Sequence, residues 1–235
     1  MQTFVGTSGY SYKEWKGTFF PDDLPTSEML RFYSSRFSTV EINNTFYRMP
    51  SAAMLAKWAE QVPKTFVFAL KAPRSITHQR LLHDAGDSLA YFWKTARALG
   101  SQLGPALFQM PPFFKKDITR LRDFLRQLPE DCRAAFEFRH PSWFAEDTYE
   151  VLRTAGAPLC LADTDEQEPA LVATGGWGYL RLRRSDYDAE RLRLWAQRIQ
   201  AQPWESAYVF FKHEEEGKGP RLASQFNETL SAPQS

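Results

Sequence analysis

Short apolar runs alternate along this chain with longer stretches whose apolar residues recur three and four positions apart, the spacing of one helix face. The runs are Phe4–Gly6, Thr39–Ile42, Phe66–Leu70, Ala106–Phe108, a fifth inside Arg133–Phe144, then Leu159–Ala162, Gly178–Leu182 and Tyr208–Phe211. Between them lie helical stripes. Met29, Leu30, Tyr33 and Phe37 follow Ser27, and Met54, Leu55, Trp58 and Val62 follow Pro50 and Ser51. Leu89, Phe92, Trp93, Ala96 and Leu99 stop at Gly100, and Ile118, Leu121, Leu125 and Leu128 follow Asp117. A fifth helix runs to Ala155 before Gly156, a sixth carries Leu192, Trp195 and Ile199 behind Asp188, and a last one holds Leu222, Phe226 and Leu230. Serine or aspartate just before a stripe accepts from free backbone N–H groups, and glycine just after it allows a left-handed stop.

Strand-like runs separated by helical stripes imply parallel strands joined by crossover helices. Eight such units predict an α/β fold, a single TIM-like (β/α)8 barrel. One crossover breaks the rhythm: from Asp163 to Gly178 there is little room for a helix, so the sixth is expected shortened or missing. The first strand runs into no glycine-rich phosphate fingerprint, which argues against a dinucleotide-binding sheet. A single domain is expected over 1–230, with a loose tail over 231–235.

In such barrels the active site lies at the C-terminal strand ends. Those ends carry Ser8, Glu41 with Asn43, Lys71, Gln109, Glu137 with Arg139, Asp163, Arg181, and Lys212. The fifth, RAAFEFRHPSWF, is the most concentrated. Glu137 and Arg139 share one face opposite Phe136 and Phe138, and His140, Pro141, Ser142 and Trp143 follow at once. Buried charge is costly unless paired, so acids and bases at every exit suggest a site. Glu137–Arg139 and Asp163–Lys212 pairs would be the structural alternative. Tyr12 and Trp15 follow the first exit and are expected to wall the mouth.

Composition narrows the partners. Against 28 aspartates and glutamates stand 29 lysines and arginines, a net charge of +1, so no global field seeks a polyanion. Cys132 and Cys160 make no metal spacing and no disulfide framework. Together with the lack of a signal pattern or a long apolar run, this sets a cytoplasmic location and no membrane contact as the expectation.

Several phrases carry a resemblance: GTSGYSYKEWKGTFFP, VEINNTFYR, FALKAPRSITH, LGPALFQMPP, FEFRHPSW, CLADTD, WGYLRLR and FFKHEEEGKGP. They resemble the YecE-like family, the domain of unknown function numbered 72, over nearly the whole chain. The resemblance implies a TIM-like barrel and supplies no reaction. Its motifs fall on Glu41, Asn43, Asn44, Lys71, Gln109, Glu137, Arg139, His140, Trp143, Asp163, Arg181, Lys212 and His213.

Three functions follow from these residues. The first is an enzyme, of isomerase, lyase or hydrolase type, for a small anionic or polyhydroxylated ligand such as a sugar phosphate. Lys71, Arg139, Arg181 and Lys212 would form its phosphate-binding clamp, with Ser8 and His213 as further ligand contacts. Asn43, Asn44 and Gln109 would read hydroxyls, and Tyr12, Trp15, Tyr47 or Trp143 would stack on a ring. Glu41 and Glu137 would be acid and base, with Asp163 and His140 as further catalytic candidates. The second is a hydrolase or nuclease using a divalent metal held by Glu137, Asp163 and His140, with Glu41 in reach. The third is a non-catalytic module for a nucleic acid or a metabolite. His78 and His83, in a polar segment, are expected at the surface or on a lid. The oligomeric state stays open.

Overall fold

The computed structural model describes residues 1–166 and 168–232. All eight apolar runs form strands: β1 (Gln2–Thr7), β2 (Thr39–Ile42), β3 (Val67–Lys71), β4 (Leu103–Gln109), β5 (Ala134–Glu137), β6 (Cys160–Asp163), β7 (Trp177–Leu182) and β8 (Ser206–Phe211). Seven α-helices accompany them: α1 (Met29–Ser34), α2 (Ala52–Gln61), α3 (Gly86–Ala96), α4 (Ile118–Leu125), α5 (Glu146–Thr154), α6 (Ala189–Gln200) and α7 (Lys218–Ser231). Ser51, Asp117 and Asp188 each accept a backbone N–H as helix caps. Ser27 does not; a 3-10 turn over Thr26–Glu28 leads into α1 instead. After α3 the chain tightens into a 3-10 turn, where Gly100 takes φ 57°, a conformation that Cβ-bearing residues resist. Between β6 and β7 no helix occurs among the described residues, as the spacing predicts. That segment is pinned by Thr174, whose Oγ1 donates to the Ala157 carbonyl and accepts from the Leu159 amide. Of the expected loose tail, Ser231 ends α7, and residues 233–235 lie outside the described residues. No helix among the described residues is long and apolar enough to cross a membrane.

The strands are parallel and hydrogen-bond as two sheets of four, ordered β1-β8-β7-β6 and β2-β3-β4-β5. One continuous ladder was the expectation, and it is interrupted at two seams. Each seam keeps a single parallel bridge, Ser8 to Glu41 and Phe136 to Leu159. At the first, the Tyr33 hydroxyl inserts between strands: it accepts from Thr7 N at 2.8 Å and donates to Thr39 O at 3.0 Å. Gly6 makes this approach possible, because a Cβ there would lie 2.1 Å from Thr39 O. At the second, the residue entering β6 is Pro158, which accepts from Phe136 N but has no N–H of its own to extend the ladder.

Strand side chains alternate between two cores. Phe4, Ala69, Leu107, Ala135, Cys160, Tyr179 and Phe210 pack together on the inner faces. Val40, Leu70, Phe108, Phe136, Leu161, Leu180 and Val209 face the helices in a larger cluster with Leu89, Trp93, Leu121, Trp195 and Phe226. Burial on both faces explains why these strands read as nearly continuous apolar runs.

Candidate functional site

Strand parity decides what reaches the centre. Two residues beyond the inner apolar layer, the same strands carry Lys71, Gln109, Glu137, Ala162, Arg181 and Lys212. Alternation turns these inward as well. Glu41 on β2 and Ser8 just past β1 join them, since Ser8 Oγ donates to Glu41 Oε1 at 2.6 Å.

Arg181, only 2% exposed, occupies the middle. Its Nη1 donates to Glu137 Oε2 at 2.7 Å and its Nη2 to Glu41 Oε1 at 3.0 Å. Glu41, fully buried, also accepts from the Tyr179 hydroxyl at 2.9 Å. Glu137, 1% exposed, accepts from Gln109 Nε2 at 2.7 Å and from Arg139 Nε at 3.2 Å, with Arg183 Nη1 3.7 Å away. Arg181, Tyr179 and Ser8 lie on the sheet of β1 and β7, whereas both glutamates lie on the other. The network therefore ties the two sheets together where their backbone ladders do not.

Burial alone would raise the pKa of both glutamates. For Glu41 the Arg181 guanidinium and the Ser8 and Tyr179 hydroxyls outweigh it and leave the carboxyl below its ordinary value. For Glu137 burial is outweighed by Arg181, Arg139 and Arg183, which bring the pKa down to about 2. Both carboxylates favour the ionised form, and each accepts three hydrogen bonds. The two carboxylates expected as acid and base are both shifted toward the ionised form, Glu41 by Arg181 and two hydroxyls and Glu137 by three guanidinium groups.

Around this network stand cations of another kind. Lys71 Nζ sits 4.2 Å from the Phe46 ring centroid, and its pKa is lowered to about 8 by burial and then by Arg181. Lys212 is lowered by burial, Arg183 and Arg181. Neither lysine has a carboxylate within salt-bridge distance among the described residues. Asn43 belongs here too, with Oδ1 3.5 Å from Arg181 Nη2. Asn43 Nδ2 and Arg181 Nε are buried donors without a partner among the described residues. Tyr12 donates from its hydroxyl to Ser8 O at 2.8 Å and feels the charge of Glu41, so it borders the network.

Other sequence candidates lie elsewhere. Asp163 shares the outward face of Leu161, where it accepts from Arg184 Nε at 2.8 Å, the Tyr187 hydroxyl at 2.9 Å and Trp195 Nε1 at 3.1 Å. It anchors α6 to the sheet, and its partner is Arg184 rather than Lys212. His213 likewise shares the outward face of Phe211; its Nε2 bonds the Arg184 carbonyl oxygen, and its ring packs edge-on to Tyr187. Trp143 is buried, stacked on Phe138 with centroids 4.3 Å apart, and donates to Phe114 O at 2.7 Å. Trp15 is also fully buried rather than part of a wall: it packs on Phe19 and Phe20 and donates to Glu214 O at 3.0 Å, fastening the first loop to the last. His140 caps the turn Pro141–Trp143 through Ser142, and Asn44 and Tyr47 are exposed. For Asp163 and His213 the cause is strand parity, whereas Trp15, Trp143, His140, Asn44 and Tyr47 lie in loops and short 3-10 turns whose course the strand pattern does not fix. A residue's place at a strand end says nothing about its face until parity is counted from a residue of known side.

Three participants stand outside the sequence-based set. Tyr179 and Arg183 flank Arg181 at two-residue spacing, and the alternation in YLRLR is the signal that finds them. His78, expected at the surface or on a lid, is half-buried with its ring 4.8 Å from Phe46, and the charge on Lys71 reaches it.

The metal reading does not fit this arrangement. Among the described residues no three histidine, cysteine, aspartate or glutamate side chains gather as a metal site, and the oxygens of Glu41 and Glu137 are taken by cationic and hydroxyl donors. Beside the network, where β5 and β6 part, a cleft of about 530 Å³ opens. Glu137, Arg139 and Arg183 line it together with Phe138, Phe144, Tyr149 and Leu161.

A family model described as "Protein of unknown function DUF72" matches residues 4–235. The UPF0759 protein YunF of Bacillus subtilis is 31% identical over 156 residues, 63% of this chain and 54% of that protein. The UPF0759 protein YecE of Escherichia coli K12 is 32% identical over 128 residues, 54% of this chain and 47% of that protein. The aligned region thus spans about half the length of these curated relatives. A crystal structure of a DUF72 family protein from Thermotoga maritima is similar with a TM-score of 0.86 at 27% identity, covering 99% of this chain and 100% of that one. A DUF72 family protein from Enterococcus faecalis reaches 0.80 at 16% identity, covering 100% and 97%, a likeness of fold alone.

Proposed function

The chain belongs to the DUF72 family, and from that premise we propose that it is an enzyme whose site binds a small phosphate- or carboxylate-bearing, hydroxyl-rich ligand at the strand ends. In this reading residues 1–230 form one barrel-like domain, the two sheets meeting at the Ser8–Glu41 and Phe136–Leu159 bridges. The observation that carries it is an imbalance of charge. Arg139, Arg181, Arg183, Lys71 and Lys212 surround only two buried carboxylates, Glu41 and Glu137, five cations against two anions. Glu214 acts on Lys212 from an exposed loop and leaves the balance positive. Repulsion among clustered cations is relieved by an anion, and guanidinium groups match phosphate and carboxylate oxygens two at a time. The unpartnered donors of Asn43 and Arg181 add hydrogen-bonding capacity at the same place. The neighbouring cleft has the volume of a small-molecule site.

Glu41 and Glu137 hold Arg181 in place in this reading and do not exchange protons. A calorimetric and thermal-shift comparison of inorganic phosphate, glycerol 3-phosphate and glycerol tests it. The two anions should bind and raise Tm, and glycerol should not; replacing Arg139 and Arg183 by alanine should abolish the response. Indifference to every phosphate and carboxylate tried overturns the reading. Stabilisation by a single-stranded oligonucleotide but not by inorganic phosphate would replace it with the binding-module alternative.

A further inference from the structure

Lys71 differs from the other cations of the site in what it can do. It ends β3 on the inward face, and its carbonyl is held by Thr45 Oγ1 at 2.6 Å, which fixes the backbone under the side chain. The amine lies over the Phe46 ring, against whose edge the His78 imidazole also packs. No carboxylate stands within 4.0 Å of it among the described residues, whereas Arg139, Arg181 and Arg183 each reach one. An arginine stays charged at any working pH, but a lysine in such surroundings can present a free lone pair.

We propose that Lys71 is a carbonyl-reactive amine that forms an imine with an aldehyde or ketone bearing an anionic group, the anion being held by Arg139 and Arg183. The proposal rests on the anion site described above and names the second functional group of its ligand. The ammonium first gives a proton to solvent. The Nζ lone pair then attacks the carbonyl carbon, and the C=O π electrons move to oxygen. The two remaining amine hydrogens leave with that oxygen as water, so amine and carbonyl give imine and water with no redox change. A pKa of about 8 leaves about a quarter of the amine neutral at pH 7.5, against about one part in a thousand for an ordinary lysine. Lys212, which also has no carboxylate within 4.0 Å among the described residues, feels the charge of Glu214 and is the internal comparison.

Trapping tests this directly. The full chain is incubated with glyceraldehyde 3-phosphate and sodium cyanoborohydride at pH 7.5, and the reduced adduct is located by peptide mass spectrometry. One dominant adduct is expected on Lys71, formed at least tenfold faster than on any other lysine and slowed by inorganic phosphate. It should vanish in Lys71→Arg, which keeps the charge, and persist in Lys94→Met, a change at an exposed helix position outside the site. Adducts scattered over exposed lysines, or centred on Lys212, overturn the proposal. Phosphate binding without a Lys71 adduct overturns the amine chemistry and leaves the anion site standing. A Lys71 adduct formed equally fast with propionaldehyde and indifferent to phosphate overturns the anion site, and with it the substrate class proposed.

Discussion

Arg181 and Glu137 lie 2.7 Å apart and belong to different sheets, so one buried ion pair crosses a boundary that the backbone ladders leave nearly open. With Glu41 on the far side of the same guanidinium, the network is a cross-link as much as a site. Removing one partner leaves a charge buried and unmatched. Glu137→Gln and Arg181→Met are therefore expected to lose about 3–5 kcal/mol of folding stability. Urea unfolding at pH 7 checks this; a loss below about 1 kcal/mol would mean that the sheets are held together elsewhere.

Acid should act on the same carboxylate. The Glu137 pKa is held at about 2 against an ordinary 4.5, so the unfolded chain binds the proton more readily than the folded one. The stability this provides is fully present above about pH 4.5 and drains away as pH falls toward 2. Unfolding midpoints between pH 2 and 6 should fall steeply in the wild type and less steeply in Glu137→Gln. Equal slopes would remove Glu137 as the cause.

Asp163 separates anchor from site. Its three donors come from Arg184, Tyr187 and Trp195, all on the helix side of β6. Asp163→Ala should cost roughly 3 kcal/mol by orphaning them, while the response of the folded protein to phosphate stays as in wild type. A lost phosphate response in a variant that remains folded would move Asp163 back to the mouth.

Arg139 should behave in the opposite way. Its side chain is 38% exposed, so its ion pair with Glu137 adds little to folding, and Arg139→Ala is expected to change stability by less than about 1 kcal/mol. Phosphate affinity should weaken about tenfold with the loss of one charged donor. Titration calorimetry on the two proteins decides the point.

The lysine itself can be titrated chemically. Acetylation of Lys71 at varied pH, read by mass spectrometry against exposed lysines in the same digest, should rise with a midpoint near 8 rather than 10.5. Below that midpoint burial and Arg181 disfavour the charged form without abolishing it. A midpoint shared with the exposed lysines would mean that Lys71 is solvated.

Much of this protein is determined locally. The number of strands, their parallel order, the caps at Ser51, Asp117 and Asp188 and the missing sixth crossover helix all follow from apolar periodicity and from side chains that bond their own backbone neighbours. These are short-range effects, and the sequence carries them in full. So does the gathering of Glu41, Lys71, Gln109, Glu137, Arg139, Arg181 and Lys212, because parallel strands place their C-terminal ends together. What tertiary structure alone decided is which way each end residue points and what it meets there. Asp163 and His213 are as polar and as near to a strand end as Glu137, yet one residue of parity sends them to the helix layer. The break between the sheets was equally hidden, since it depends on a tyrosine hydroxyl from α1 arriving between β1 and β2. The protonation states depended on contact as well: two glutamates that the sequence offers as acid and base are both shifted toward the anion, since one arginine from a third strand reaches both and each has further donors of its own.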